Sequence, residues 1–155
     1  MQNLKILNKK EISRILSKIK EQFDIDILTF EYGMLQNKEG KLFLISKDIN
    51  KVNLDKLRIN ELGLYFANIN KEVRLTIEGS QLIGKFAKKN IYEVNEEDAY
   101  SWMSGNDLIC KEEFNGFVII KNKDNYLGTG KFKDNRILNY TPKERWIKRK
   151  DYSEV

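Results

Sequence analysis

Apolar residues in the first part of the chain recur every three or four positions: Ile12, Ile15, Leu16, Ile19 and Phe23. That spacing predicts a helix with one apolar stripe. Asn8 stands at its start with Glu11 three residues on, the arrangement of a capping box. Lys9, Lys10, Arg14, Lys18 and Lys20 fall on the other faces, where Glu11 and Glu21 interrupt the charge. A narrow stripe with mixed charge favours a helix packed on a sheet over one lying on a membrane surface.

Strand patterning follows. Residues 25–34 and 41–46 read as a hairpin around the turn residues 36–40. A short helix is predicted over residues 54–57, capped by Asn53, and strands over residues 61–67 and 72–77. Residues 78–87 read as a helix with Leu82, Ile83 and Phe86 on one side. Lys88-Lys89-Asn90 is a polar break, taken as the boundary between a domain of residues 1–87 and one of residues 88–155. Beyond it, residues 91–94 predict a strand, and Asn95 caps a helix carrying Ala99, Trp102 and Met103 that stops at Gly105. Residues 117–120, 126–132 and 136–140 predict three more strands joined by Asn-, Asp- and Lys-rich turns. Gly128 and Gly130, two apart, are expected on one strand face, either at a tight bend of a small barrel or where a ligand approaches.

Charge divides the second half. Residues 90–114 hold seven acids against Lys111, whereas residues 116–150 hold ten bases against Asp124, Asp134 and Glu144. A whole-chain net of +5 conceals this split, which suits a module with one anion-binding face. Other readings of the composition are exclusions. With 155 residues, 41% hydrophobic and 33% charged, the chain has the make-up of a globular protein that buries a core. One cysteine, Cys110, permits neither an internal disulfide nor a cysteine-based zinc cluster, and a reducing compartment is expected. No apolar run approaches the ~20 residues of a membrane span, no secretory leader is recognised, and the expected location is the cytoplasm.

The absence of histidine removes Ser-His, Cys-His and His-metal chemistry. Cys110, at the end of an apolar run, reads as a core residue rather than a nucleophile. The acid pairs Asp24/Asp26 and Glu112/Glu113 read as solvated charges rather than cation ligands. Binding chemistry is better represented. Tyr140 and Trp146 interleave with Arg136, Lys143, Arg145, Lys148, Arg149 and Lys150. Bases neutralise phosphates, and aromatic faces stack on unpaired nucleobases. The same two aromatics would equally serve as barrel core.

The run Ser101-Trp102-Met103-Ser104-Gly105-Asn106-Asp107-Leu108, then Asn115-Gly116-Phe117-Val118-Ile119-Ile120, then Tyr126-Leu127-Gly128-Thr129-Gly130-Lys131 resembles a PUA domain, a small mixed β-barrel that binds RNA. The tail from Leu127 through Asn139-Tyr140-Thr141-Pro142-Lys143 to Arg145 is similar to the PUA-type end of NOL/NOP/sun rRNA 5-methylcytosine methyltransferases. The first half, with Phe43-Leu44-Ile45-Ser46-Lys47, Leu62-Gly63 and Val73-Arg74-Leu75-Thr76, resembles the pre-PUA domain of small ribosome-biogenesis factors. Two features of the methyltransferases are missing: a Gly-rich cofactor loop after a strand, and a Pro-Cys nucleophile, since Cys110 sits in Ile109-Cys110-Lys111.

The resemblance implies an α+β chain, a pre-PUA-like α/β domain followed by a PUA-type mixed β-barrel. It further implies a non-catalytic, monomeric RNA-binding protein that needs no cofactor or metal. It would act on rRNA or its precursors in ribosome biogenesis and rRNA processing, alone or beside a ribosome-assembly or RNA-methyltransferase partner. Gly105, Asn106, Lys131, Lys133, Arg136, Tyr140, Lys143, Arg145, Lys148 and Arg149 are the expected RNA-binding residues. The alternative is a protein-interaction adaptor that docks a basic partner through the acidic segment 93–113.

Overall fold

The computed structural model describes residues 4–45 and 63–148. The helix predicted over residues 54–57 lies outside them. The fold is α+β, with two five-stranded sheets that follow one another along the chain.

The first sheet is an antiparallel meander of β1 (Lys5–Ile6), β2 (Gly33–Gln36), β3 (Lys41–Ile45), β4 (Leu64–Ile69) and β5 (Val73–Leu75). Helix α1 (Lys9–Phe23) packs on it with Ile15, Ile19 and Phe23 buried. Its capping box forms as expected: the Glu11 amide donates to Asn8 Oδ1 at 2.9 Å and the Asn8 amide to Glu11 Oε1 at 3.1 Å. Strand alternation buries both faces of this sheet. Met34, Leu42, Leu44 and Phe66 join the α1 core, while Leu35, Phe43 and Ile45 form a second cluster.

The predicted strand over residues 25–34 begins only at Gly33. Asp24 closes α1 in the left-handed conformation at φ 52°, and the Ile25 amide bonds back to Lys20 O at 2.9 Å. That amide is therefore spent on the helix end. Ile25 and Leu28 are buried and Ile27 is 75% exposed, a spacing of three that no strand produces.

Helix α2 (Ile77–Ile83), capped by Thr76, runs into a 3-10 turn at Gly84–Phe86. Phe86 ends 45% exposed, so it is not part of the buried side expected for it. The polar break that follows is tied to the end of α1. The amides of Lys88 and Lys89 donate to Phe23 O at 2.8 and 3.2 Å, and Asn90 Nδ2 donates to Gln22 O at 2.7 Å. These bonds satisfy carbonyls that a helix C-terminus leaves without partners.

The second sheet has the order β6 (Ile91–Glu93), β8 (Phe117–Asn122), β9 (Asn125–Lys133), β10 (Arg136–Asn139), β7 (Leu108–Ile109). Only β6 and β8 are parallel. The sheet curls into a half-barrel around α3 (Glu96–Met103), whose Trp102 is 1% exposed. Along β8, Val118 and Ile120 face Trp102 while Ile119 enters the α1 core, which is why this strand reads as an unbroken apolar run. The turn between β9 and β10 holds Asp134 and Asn135 at φ 51° and 61°, the positive-φ pair that a two-residue hairpin needs.

Gly128 and Gly130 do not share a face. Ile119 pairs with Thr129 and Lys121 with Tyr126, so Leu127 and Gly128 together oppose Ile120 alone, a β-bulge with Gly128 at φ 91°. The extra residue turns Gly128 toward α2, where a Cβ would lie 3.3 Å from Ile77, and Gly130 toward the barrel core. A Cβ on Gly130 would lie 2.4 Å from Trp102 Cη2 and 2.6 Å from Leu138 O. The bend expected of the pair falls at the Gly128 bulge, and Gly130 is where the barrel's own side chains and backbone come close. Gly130→Ala should therefore cost about 2 kcal/mol in urea unfolding, because overpacking (~1–3 kcal/mol) exceeds the ~0.5–1 kcal/mol that alanine ordinarily gains over glycine in a strand. An unchanged or raised unfolding midpoint would contradict this.

Candidate nucleic-acid interface

Strand β10 ends at Asn139, whose side chain fixes the exit of the tail. Asn139 Nδ2 donates to Trp102 O at 2.8 Å and Asn106 O at 3.0 Å, its amide donates to Asp107 Oδ1 at 2.8 Å, and its Oδ1 accepts from the Thr141 amide at 2.8 Å. The tail then folds back over the end of α3. Trp146 lies against Gly105, where a Cβ would sit 2.3 Å from the indole, and its Nε1 donates to Thr141 O at 2.9 Å. The Ile147 amide bonds Met103 O at 2.9 Å. A 3-10 turn at Lys143–Arg145 delivers Arg145 to α2, where its two Nη atoms bond Glu78 Oε1 and Oε2 at 3.0 and 2.7 Å.

This return path walls one side of a cleft of about 440 Å³ between the two sheets, within the roughly 300–1,000 Å³ of small-molecule sites. Phe43, Tyr65 and Arg74 come from the first sheet, Gly128 and Thr129 from the bulge, and Tyr140 and Arg145 from the tail. Two cations lie over two tyrosines: Arg74 is 5.7 Å from the centre of the Tyr140 ring, and Lys41 Nζ is 5.4 Å from that of Tyr65. Tyr140 also meets Phe117 edge-on at 5.5 Å and stays 42% exposed. Among the described residues three lining cations, Lys41, Arg74 and Arg145, face one lining carboxylate, Glu78. These residues give the cleft an excess of positive charge beside three aromatic rings, Phe43, Tyr65 and Tyr140.

The expected binding residues separate into groups. Tyr140 and Arg145 meet in the cleft, and Lys143 and Lys148 are exposed on the tail. Lys133 at the end of β9 and its pair Arg136 at the start of β10 are exposed, three residues or roughly 10 Å along the strand from Asn139. Lys131 faces Glu72 at 3.5 Å and lies over Phe117. Arg149 and Lys150 lie outside the described residues. Three of the expected residues also have partners within the fold: Gly105 is covered by Trp146, Asn106 O accepts from Asn139, and Arg145 is paired with Glu78. Trp146 has the packing role, since its indole is spent on the tail.

Lys41, Tyr65 and Arg74 escaped the sequence reading because they lie far from the basic tail. One signal was available: Arg74 stands between Val73 and Leu75, which are buried, so alternation points it away from the core. The packing of Cys110 matches expectation. Cys110 is 1% exposed, and burial pushes its thiol up, away from nucleophilic character. Glu96, within the acidic segment, pairs with Lys123 at 2.6 Å. Among the described residues no group of three or more acidic or thiol side chains could hold a metal, and no helix is long and apolar enough to cross a membrane.

A mixed half-barrel wrapped on one helix, with its final strand running into a tail that closes over that helix, is a PUA-type domain. Residues 89–147 match the family described as the methyltransferase RsmF PUA domain. The ribosomal RNA small subunit methyltransferase F of Aeromonas hydrophila is 29% identical over 137 residues, which cover 87% of this chain and 28% of that protein. Its namesake in Vibrio parahaemolyticus is 27% identical over 144 residues, covering 88% of this chain and 30% of that protein. The chain thus spans less than a third of these relatives' length. Residues 89–147 are thus similar to the PUA domain of an rRNA methyltransferase, as the resemblance of residues 101–145 implied.

The Glu78–Arg145 pair gives the cleft a pH response. Hydrogen bonding to Arg145 holds the Glu78 carboxyl below its ordinary range, against a smaller opposing effect of burial. A pKa depressed by folding adds stability above the unfolded-state value, and that stability is lost as pH falls through the folded one. Arg145 is 44% exposed, so the pair contributes about 1 kcal/mol or less. The stability difference between the wild type and Glu78→Gln should therefore be present near neutrality and vanish as pH falls from about 6 to about 3. A difference constant across that range would show that the ion pair is not its source.

Proposed function

We propose that the chain is a non-catalytic RNA-binding protein acting on rRNA or its precursors in the cytoplasm. The observation that carries this is the PUA-type domain at residues 89–147, whose likeness is to the PUA domain of an rRNA methyltransferase. Local chemistry supports it. The tail presents Lys143 and Lys148, the cleft adds cations and aromatic rings, and these residue types neutralise phosphates and stack on bases. This reading leaves the acidic segment a structural part: Glu96, Glu97 and Asp98 sit in the first turn of α3, where acids suit the helix dipole.

Binding to single-stranded rRNA fragments should weaken with salt. Replacing Lys143 and Lys148 together by Ala should flatten the slope of log K against log salt by about 1.4, at about 0.7 per phosphate contact. Replacing Lys9 and Lys10 on α1 should leave the slope unchanged. If the α1 pair flattens it and the tail pair does not, RNA lies on the first sheet's side. Isothermal titration with S-adenosylmethionine should give no heat of binding. Micromolar affinity, or methyl transfer to RNA by the pure protein, would contradict the non-catalytic assignment.

A further inference from the structure

We propose that the cleft between the two sheets receives a single unpaired nucleotide of the bound RNA, its base against the Tyr140 ring and its phosphate held by Arg74. This rests on the RNA-binding reading above and names the ligand unit for one part of the surface.

The cleft's chemistry selects a ligand with a flat apolar body and an anionic end. Its walls include Phe43, Tyr65 and Tyr140, and among the described residues its cations exceed its carboxylate by two. A bare phosphate would leave the aromatic wall in water, and a neutral apolar molecule would leave the cations without partners. A nucleotide satisfies both.

Arg74 is the phosphate ligand because it is uncommitted. Among the described residues it makes no ion pair and only covers the Tyr140 ring, so a phosphate would draw it away at the loss of one ring contact. Arg145 differs: both Nη atoms are engaged by Glu78. It anchors the tail and so positions Tyr140 five residues earlier. Phe117 of β8, edge-on at 5.5 Å, holds the Tyr140 ring. The cleft is too narrow for a duplex, which makes a bulged or looped-out residue the form that enters.

The test uses the full chain and an RNA hairpin carrying one bulged 2-aminopurine, the same hairpin fully paired, and free AMP. The bulged hairpin should bind about tenfold more tightly than the paired one, with quenching of 2-aminopurine fluorescence. Tyr140→Leu keeps an apolar side chain against Phe117 and should remove that preference while leaving affinity for the paired hairpin unchanged. Tyr140→Phe should retain the preference, and Arg74→Gln should lower affinity for the bulged hairpin several-fold. Equal affinity for the two hairpins with unquenched 2-aminopurine would overturn the proposal and leave RNA binding intact. Binding of neither hairpin would overturn both. Free AMP binding as tightly as the bulged hairpin would assign the cleft to a soluble nucleotide and overturn the RNA assignment.

Discussion

The bulge at Leu127–Gly128 is the constraint through which the two halves of the molecule meet. An extra residue in β9 leaves Leu127 O outside the ladder, and that oxygen accepts the Trp102 indole N–H at 2.9 Å. On the opposite side the Gly128 amide donates to Ser80 Oγ, and Thr129 Oγ1 donates to Leu75 O, both at 2.9 Å. Ser80 and Thr129 are buried, so each bond removes a polar group that would otherwise be stranded. One irregularity in one strand thus seats the barrel's tryptophan, docks α2 and floors the cleft. A regular strand would have turned both glycines to one side and done only one of these.

The basic tail behaves differently from its charge count. Ten bases between Gly116 and Lys150 read as one patch along the sequence. Folding disperses them: Lys131 faces Glu72, Arg145 is claimed by Glu78, and Lys123 pairs with Glu96. What concentrates positive charge is the approach of Lys41 and Arg74 from the other sheet. The positive charge of the cleft is a property of tertiary contact, assembled from Lys41 and Arg74 of the first sheet and Arg145 of the basic block.

Local signals were legible wherever the backbone itself imposed them. The α1 capping box, the Asn95 cap of α3 and the Asp134–Asn135 turn are each set within a few residues, and each was readable. So were the PUA-type second half and the packed state of Cys110. Longer-range features were not. No periodicity announces that Ile25's amide is spent on a helix end, or that Lys5–Ile6 adds a two-residue strand to β2. The glycine pair misled because side-chain alternation presumes a regular ladder, and a bulge resets it by one residue. Trp146 stayed open between base stacking and packing because sequence cannot reveal that Gly105 lies beneath it.

Edge strand β5 carries a further consequence. Its outward groups at Val73 are both taken by one side chain: Gln22 Nε2 donates to Val73 O at 2.7 Å, and Gln22 Oε1 accepts from the Val73 amide at 2.8 Å. With Leu75 O held by Thr129, the strand has little left to offer an incoming chain. A primary amide presents the same donor and acceptor as a neighbouring peptide group, so Gln22 imitates the next strand without extending the sheet. Exposed edges are where sheets recruit one another into aggregates. Here a single glutamine on a helix acts as a molecular end-stop, guarding the first sheet against self-association along β5.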